Sequence, residues 1–403
     1  MDKLPDKGPV SDGQLEIIHN AGVMVDNGEI IDIGDYSKLK QKAYGQKINI
    51  EYIDNGMVAV PGFIDCHTHI CWGGSRAGDY AKRLSGKTYL EIAEEGGGIW
   101  DTVQKTREAG LAELEAITTQ HANQLLAGGV TSIEVKSGYG LTIRDELKML
   151  KAIKNADTPA DLITTCLAAH IFPKDFNGKA DEYLSTMAEE LLPRVKEQRL
   201  AGRVDVFVEK TAFAVDAARE YLQKAKALGF DLVIHGDQFT TGGSKLATEI
   251  AALSVDHLEA CGNTEVELLK NSNVVSVVLP GASIGLGEPF APARKLLDGG
   301  ACVAIASDWN PGSAPMGDLL TQACAIGVYE KLTIAETLSG ITNRAAKALN
   351  LSDRGILKAG KIADIAAFKT NDFREIIYRQ GMLRPTIVWK KGESVLKEQP
   401  YKL

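Results

Sequence analysis

The chain has only seven histidines in 403 residues, and most of them stand next to short apolar runs. His67 and His69 follow one such run as His-x-His, a spacing that points both imidazoles to the same side of an extended chain. His170 and His235 each end a run, His257 directly follows another, and Ser307-Asp308 closes the last. If the runs are strands of a β/α barrel, these are their downstream ends, where such folds place catalytic groups. His67, His69 and His235 with the Asp308 carboxylate then form a first-row metal site. Neutral imidazoles plus one carboxylate suit zinc or iron, whereas calcium and magnesium prefer all-oxygen shells. A single histidine is more often a hydrogen-bonded core residue, so the ordered set carries the reading. His19 and His121 fall outside the run ends and read as structural or exposed.

Water bound to such a cation loses a proton near neutral pH and can attack a carbonyl polarised by the same charge. Asp308 can both touch the metal and shuttle the proton. Hydrolysis or deamination is the chemistry expected. No Gly-x-Gly-x-x-Gly follows a strand-like run, and Gly96-Gly-Gly98 lacks the Gly-Lys-Ser/Thr of a phosphate loop, so nucleotide-dependent redox chemistry and phosphoryl transfer have no support.

The elements that must position these groups are legible as eight β-rich runs, at 57–65, 129–135, 162–169, 204–208, 230–234, 253–256, 274–279 and 302–307. Between them lie helical patterns such as 111–127, 180–198 and 215–228. Eight such units predict a TIM-type (β/α)8 barrel over 57–358. The flanks read differently. Residues 22–34 alternate around Asn27-Gly28, a hairpin signal, while 360–368 and 385–389 are strand-like. Residues 1–56 and 359–403 are therefore expected to build one small β-sandwich beside the barrel.

A content of 44% hydrophobic residues supports a large core. A net charge of −8, with no basic stripe, argues against nucleic acid. The polar N-terminus lacks the apolar segment of a secretory signal, and no run is long enough to span a membrane. The six cysteines form no Cys-x-x-Cys pair and read as reduced core residues. A cytoplasmic enzyme is expected.

Pro61-Gly-Phe-Ile-Asp-Cys-His-Thr-His-Ile-Cys-Trp-Gly-Gly-Ser-Arg76, Gly86-Lys-Thr-Tyr-Leu-Glu-Ile92, Glu134-Val-Lys-Ser-Gly-Tyr-Gly140, Ser254-Val-Asp-His-Leu258 and Asp308-Trp-Asn-Pro-Gly-Ser313 carry a narrower signal. On these motifs the chain resembles the imidazolonepropionases, a family of the amidohydrolase superfamily, over nearly its whole length. The resemblance implies hydrolytic opening of 4-imidazolone-5-propanoate to N-formimino-L-glutamate in histidine degradation. It also implies His67, His69, His235 and Asp308 as ligands of one divalent or trivalent zinc or iron ion. Asp308, His257 and Gln238 match positions near the reacting atoms. Arg76, Tyr89, Tyr139, His170, Gln238, Asn310, Gly312 and Ser313 match positions lining the substrate. Arg76 suits a carboxylate tail, because its planar fork of donors grips both oxygens; a surface ion pair is the plainer reading. For Tyr89 helix packing competes, and for Asn310 turn formation.

Gln238 departs from a glutamate found in some members, and an amide cannot move a proton. Acid–base work then falls to Asp308 and His257. Lys136 ends the second barrel strand, but in the superfamily a metal-bridging carboxylated lysine comes from the fourth, so one metal is expected. A homodimer is expected by analogy alone. The alternative activity is that of a related amidohydrolase acting on another cyclic amide or deaminating an amino-heterocycle.

Overall fold

The computed structural model describes residues 1–87, 91–92 and 95–397. Strands β1 (Ala21–Asp26) and β2 (Glu29–Asp35) form the expected hairpin. Asn27 and Gly28 both take positive φ, 48° and 84°, the tight turn whose twist suits two antiparallel strands. The run at 57–65 is one strand in the sequence but two in the fold. β3 (Val58–Pro61) pairs with the C-terminal strands, and β4 (Phe63–Asp65) opens the barrel. The break falls at Gly62, where a Cβ would lie 2.4 Å from Thr131 Oγ1. Only glycine lets the chain cross from one sheet to the other there.

The barrel continues through β5 (Val130–Lys136), β6 (Asp161–Ala169), β7 (Arg203–Val208), β8 (Asp231–Gly236), β9 (Ser254–His257), β10 (Val275–Val278) and β11 (Cys302–Ile305). Each pairs in parallel with its sequence neighbour. This is the eight-stranded order read from the runs. All residues of β5, β9, β10 and β11 are buried, which is why β10 and β11 are near-continuous apolar runs, while β5 and β9 carry buried polar residues. The helix Leu111–Ala127 buries Leu114, Thr118, Ala122, Leu125 and Leu126, a stripe at helical spacing facing the sheet. The pattern at 180–198 is helical with a π turn at Met187–Leu191 between Ala180–Thr186 and Leu192–Glu197.

β12 (Ile365–Phe368), β13 (Pro385–Lys390) and β14 (Glu393–Lys397) join β3 in an antiparallel sheet of order β14-β13-β12-β3. The β1–β2 hairpin meets it through a bridge between Glu29 and Ile362. Residues 1–14 take another path. Gly8 N–H donates to Ala301 O, Val10 N–H to Glu336 Oε1, and Arg344 Nη2 to Gly8 O, tying the segment to the helices beneath the barrel. All six cysteines are buried and free. Among the described residues no helix is long and apolar enough to cross a membrane.

Phe368 of β12 and Phe63 of β4 are both fully buried, with ring centroids 5.9 Å apart, and join small sheet and barrel in one core. Truncating an aromatic side chain in such a place leaves a cavity. Phe368→Ala should therefore destabilise the protein by about 3–5 kcal/mol in denaturant unfolding. A loss below about 1 kcal/mol would show that the sheet and barrel do not share a core.

Candidate metal centre

β4 is short, and the chain beyond it carries both histidines of His-x-His across the barrel mouth. Thr68, between them, donates its hydroxyl to Glu134 O at 2.6 Å and accepts Lys136 N–H at 3.0 Å, fixing this segment to β5. On its other side Asp308 N–H donates to His67 O at 3.0 Å and His69 N–H to Trp309 O at 2.9 Å. Asp308 itself sits at φ +53°, a left-handed conformation that is costly for a residue with a Cβ. The result brings four groups from three strand ends together.

His235 Nε2 lies 3.3 Å from His69 Nε2, and Asp308 Oδ1 lies 3.5 Å from His67 Nε2 and 3.4 Å from His69 Nε2. Ligands about 2.0–2.1 Å from a tetrahedral metal stand roughly 3.3–3.4 Å from one another. His67 Nε2 and Asp308 Oδ1 are buried with no hydrogen-bond partner, an expensive arrangement unless a cation takes their lone pairs. His67, His69 and Asp308 are thus mutually close enough to hold one first-row metal, and His235 joins them through its approach to His69. Burial, then the Lys136 charge, holds the pKa of His67 and of His235 well below the usual histidine value, so both offer neutral nitrogen. For Asp308, burial acts upward but is outweighed by His67 and His69, which hold the carboxyl well below the usual range.

A further ring of groups backs the ligands. His67 Nδ1 is 2.7 Å from Asp256 Oδ2, and His235 Nδ1 is 2.8 Å from Asp205 Oδ2. The first is a hydrogen bond of the kind that fixes the tautomer and aims the other nitrogen, and the second is a close approach that leaves His235 Nδ1 without a hydrogen bond. Asp205, Asp256 and Glu134 had not been singled out in the sequence. Their signal was there: acidic residues inside short strand-like runs, with Glu134 two residues before Lys136 and so on the same face.

His257, at φ +94°, places its ring 5.4 Å from that of His235 and 5.9 Å from that of His67. Its Nδ1 is 3.5 Å from Glu259 Oε1. Burial would lower its pKa, but Glu259, then Asp308 and Asp256, outweigh this and raise it. His170 stacks on His69 at 5.2 Å and donates from Nδ1 to Gly138 O at 3.0 Å, leaving Nε2 free. Burial and His69 push its pKa down to about 3.

Tyr139 packs between His69 and His170, 5.9 and 5.4 Å from their rings. Its loop requires its glycines, because a Cβ on Gly138 would approach His170 Nδ1 to 2.9 Å and one on Gly140 the Glu146 backbone to 2.5 Å. Glu146, also missed in the sequence, accepts the N–H groups of Gly138, Gly140 and Leu141 and holds that loop. Arg76 is buried, bonded through Nε to Asp79 and through Nη1 to Thr102 Oγ1. Asp79 also accepts Gly98 N–H at 2.9 Å. A Cβ on Gly312 would come 3.3 Å from Arg76 Nη1, so the glycine leaves room beside the guanidinium.

Asn310 spends its amide within its own loop. Nδ2 donates to Asp308 O and Ser313 Oγ, and Oδ1 accepts the N–H groups of Gly312 and Ser313. It shapes the loop that carries Gly312 and Ser313. Gln238 is half-buried at the end of β8. Tyr89 lies outside the described residues. His121, from the helix Leu111–Ala127, stacks on Trp72 at 4.2 Å and donates to Ile70 O.

A β/α barrel with three imidazoles and an aspartate at its C-terminal mouth defines an amidohydrolase, and the Amidohydrolase family model matches residues 58–395. The chain is 36% identical to the imidazolonepropionase of Bdellovibrio bacteriovorus over 388 residues, covering 96% of this chain and 91% of that one. It is 38% identical to the imidazolonepropionase of Bacillus cytotoxicus over 383 residues, 94% and 89% of the two chains. The chain belongs to the imidazolonepropionase family. Among solved structures it is similar in fold to an adenosine deaminase from Xanthomonas campestris with bound zinc, at TM-score 0.70, 18% identity and coverage of 94% and 88%. A 5-methylcytosine deaminase from Klebsiella pneumoniae also gives TM-score 0.70, at 17% identity with 94% and 95% covered.

Replacing a ligand should empty the site without unfolding the barrel. His69→Ala and His235→Ala are each expected to lose zinc on dialysis, by elemental analysis, while His19→Ala, at an exposed position, keeps it. Full retention by His235→Ala would remove that residue from the ligand set.

Proposed function

We propose that the chain hydrolyses the ring amide of 4-imidazolone-5-propanoate to N-formimino-L-glutamate, with His67, His69, His235 and Asp308 holding one zinc or iron ion. The observation that supports this most is the approach of His235 Nε2 to His69 Nε2 at 3.3 Å and of Asp308 Oδ1 to the Nε2 atoms of His67 and His69 at 3.5 and 3.4 Å, with the buried Arg76 guanidinium near the same mouth. A cation held there supplies an acidified water and polarises the ring carbonyl.

The rest is done by side chains. Arg76, pinned through Nε to Asp79, offers its remaining donors to the propanoate, and Gly312 keeps the space beside them open. Tyr139 and His170 form the wall against which a flat ring lies, and His170 has Nε2 free to bond it. Asp308 takes a proton from the attacking water. The water oxygen adds to the ring carbonyl carbon, the carbon–nitrogen bond breaks, and the ring nitrogen leaves with a proton delivered by Asp308 or His257. Gln238 has no proton to give and hydrogen-bonds the ring. A cytoplasmic homodimer is part of the same proposal, by analogy with barrels of this class.

Loss of the ultraviolet absorbance of imidazolonepropanoate, followed with metal-loaded protein, tests the activity. Release of ammonia from a nucleobase, with imidazolonepropanoate left intact, would replace this reading. Asp308→Asn should lower kcat by at least about 100- to 10,000-fold, the usual contribution of a positioned acid–base group; near-normal turnover would refute its role. Arg76→Ala should raise KM by roughly 10- to 100-fold, the worth of a charge-assisted carboxylate contact, and an unchanged KM would refute the tail anchor.

A further inference from the structure

Lys136 is the last residue of β5, and its side chain is completely buried although it carries an ammonium. Nζ lies 2.8 Å from Glu134 Oε2, 2.8 Å from Asp205 Oδ2 and 3.7 Å from Asp256 Oδ2. Burial alone would lower its pKa, but Asp205, Glu134 and Asp256 outweigh it and keep the group protonated. The superfamily's bridging role is therefore not the one its surroundings offer, since Glu134 and Asp205 accept its hydrogen bonds and Asp256 stands 3.7 Å away.

Two of those carboxylates do double duty. The Asp205 Oδ2 that meets Lys136 also faces His235 Nδ1, and Asp256 Oδ2 does the same for His67 Nδ1. Asp205 Oδ1 further accepts His235 backbone N–H at 3.2 Å, and Asp256 Oδ1 accepts the Ser254 hydroxyl at 2.6 Å. Glu134, the third, touches no histidine and is held by the Thr165 hydroxyl at 2.5 Å. Without the lysine, three buried carboxylates would face one another with no cation among them. Such groups repel or take up protons, and either change releases the nitrogen they aim.

We propose that Lys136 is a positioning residue for the metal centre: its ammonium is the shared counter-ion that locks Asp205 and Asp256 where they orient His235 and His67. The inference rests on the metal-site reading above but not on the identity of the substrate. Metal affinity is therefore what it controls. Grip on the substrate tail, at Arg76, is not.

The test is zinc affinity by chelator competition, on wild type, Lys136→Met, and Lys136→Met combined with Glu134→Gln. The double change removes one of the carboxylates left uncompensated and keeps a foldable variant in hand if the single one fails. Either folded variant should bind zinc about 10- to 100-fold more weakly than wild type, as expected when an outer partner of a ligand is lost. At saturating zinc, KM should stay within about twofold of wild type while affinity for the metal falls. In a background carrying both Asp205→Asn and Asp256→Asn the lysine change should cost less than about threefold further, because the pin then has neither carboxylate to hold. Unchanged zinc affinity in a folded variant, or a full independent loss in the background lacking both aspartates, overturns the proposal. Wild-type protein that binds no divalent cation would instead sink the metal-site reading itself.

Discussion

The barrel closes through the residues proposed to do its chemistry. β4 and β11, the first and last strands, are both short, and the backbone contact between them falls beyond their ends. Ser307 N–H donates to Asp65 Oδ1, Asp308 N–H to His67 O, and His69 N–H to Trp309 O, with Thr68 and Trp309 forming an isolated parallel bridge. The seam sets the register of His67 and His69 against Asp308. A slip of one residue on either side would turn the alternate side chain toward the mouth and dismantle the donor set. Closing the sheet and assembling the site are one structural event.

That coupling explains why the upper barrel interior is ionic where the rest is packed with hydrocarbon. Ile64, Cys66, Val275, Val277, Cys302 and Ala304 form an apolar cluster on one side, while Glu134, Lys136, Asp205 and Asp256 lie buried under the histidines. A buried ionic network is poor value for stability, since apolar side chains of similar volume commonly do as well or better. Its justification is geometric. Imidazoles rotate easily about their bonds to Cβ, and a carboxylate beside the far nitrogen, as at His67 and His235, favours one orientation.

Much of this was legible in the sequence because the strands are short apolar runs and the Asn27-Gly28 turn is a strong local signal. The histidines could be placed because strand ends in a barrel share one mouth. Other features depend on contacts between distant residues. Gly62 divides a continuous run because Thr131 fills the space where its Cβ would stand. Glu146 and Glu209 look like ordinary helix and loop acids until the backbone N–H groups they accept are seen. Residues 1–14 have no periodicity, so nothing local could tell that they anchor to Ala301, Glu336 and Arg344. Asn310, by contrast, kept two readings in the sequence, and its bonds now favour the turn.

The amide at Gln238 is the most informative departure, because the backbone around it is firmly built. Asp237, at φ +57°, caps the helix Gly243–Ile250 through the N–H groups of Gly243 and Ser244, and Gly236 lies against Gly243 with no room for a Cβ. On the other side Glu209 accepts the N–H groups of Phe239 and Thr240. The position is held as firmly as a proton carrier would need, yet the side chain there cannot ionise. Proton traffic must divide among neighbours of different strength. Against the upward push of burial, the Asp308 carboxyl is held far below its usual range by His67 and His69. His257 differs from His67, His235 and His170 in that its pKa is raised, because Glu259 faces its Nδ1. Under the proposed reaction, an imidazole with a raised pKa beside a carboxylate with a lowered one offers a donor and an acceptor without a third carboxylate, so a glutamine at the mouth is compatible with hydrolysis.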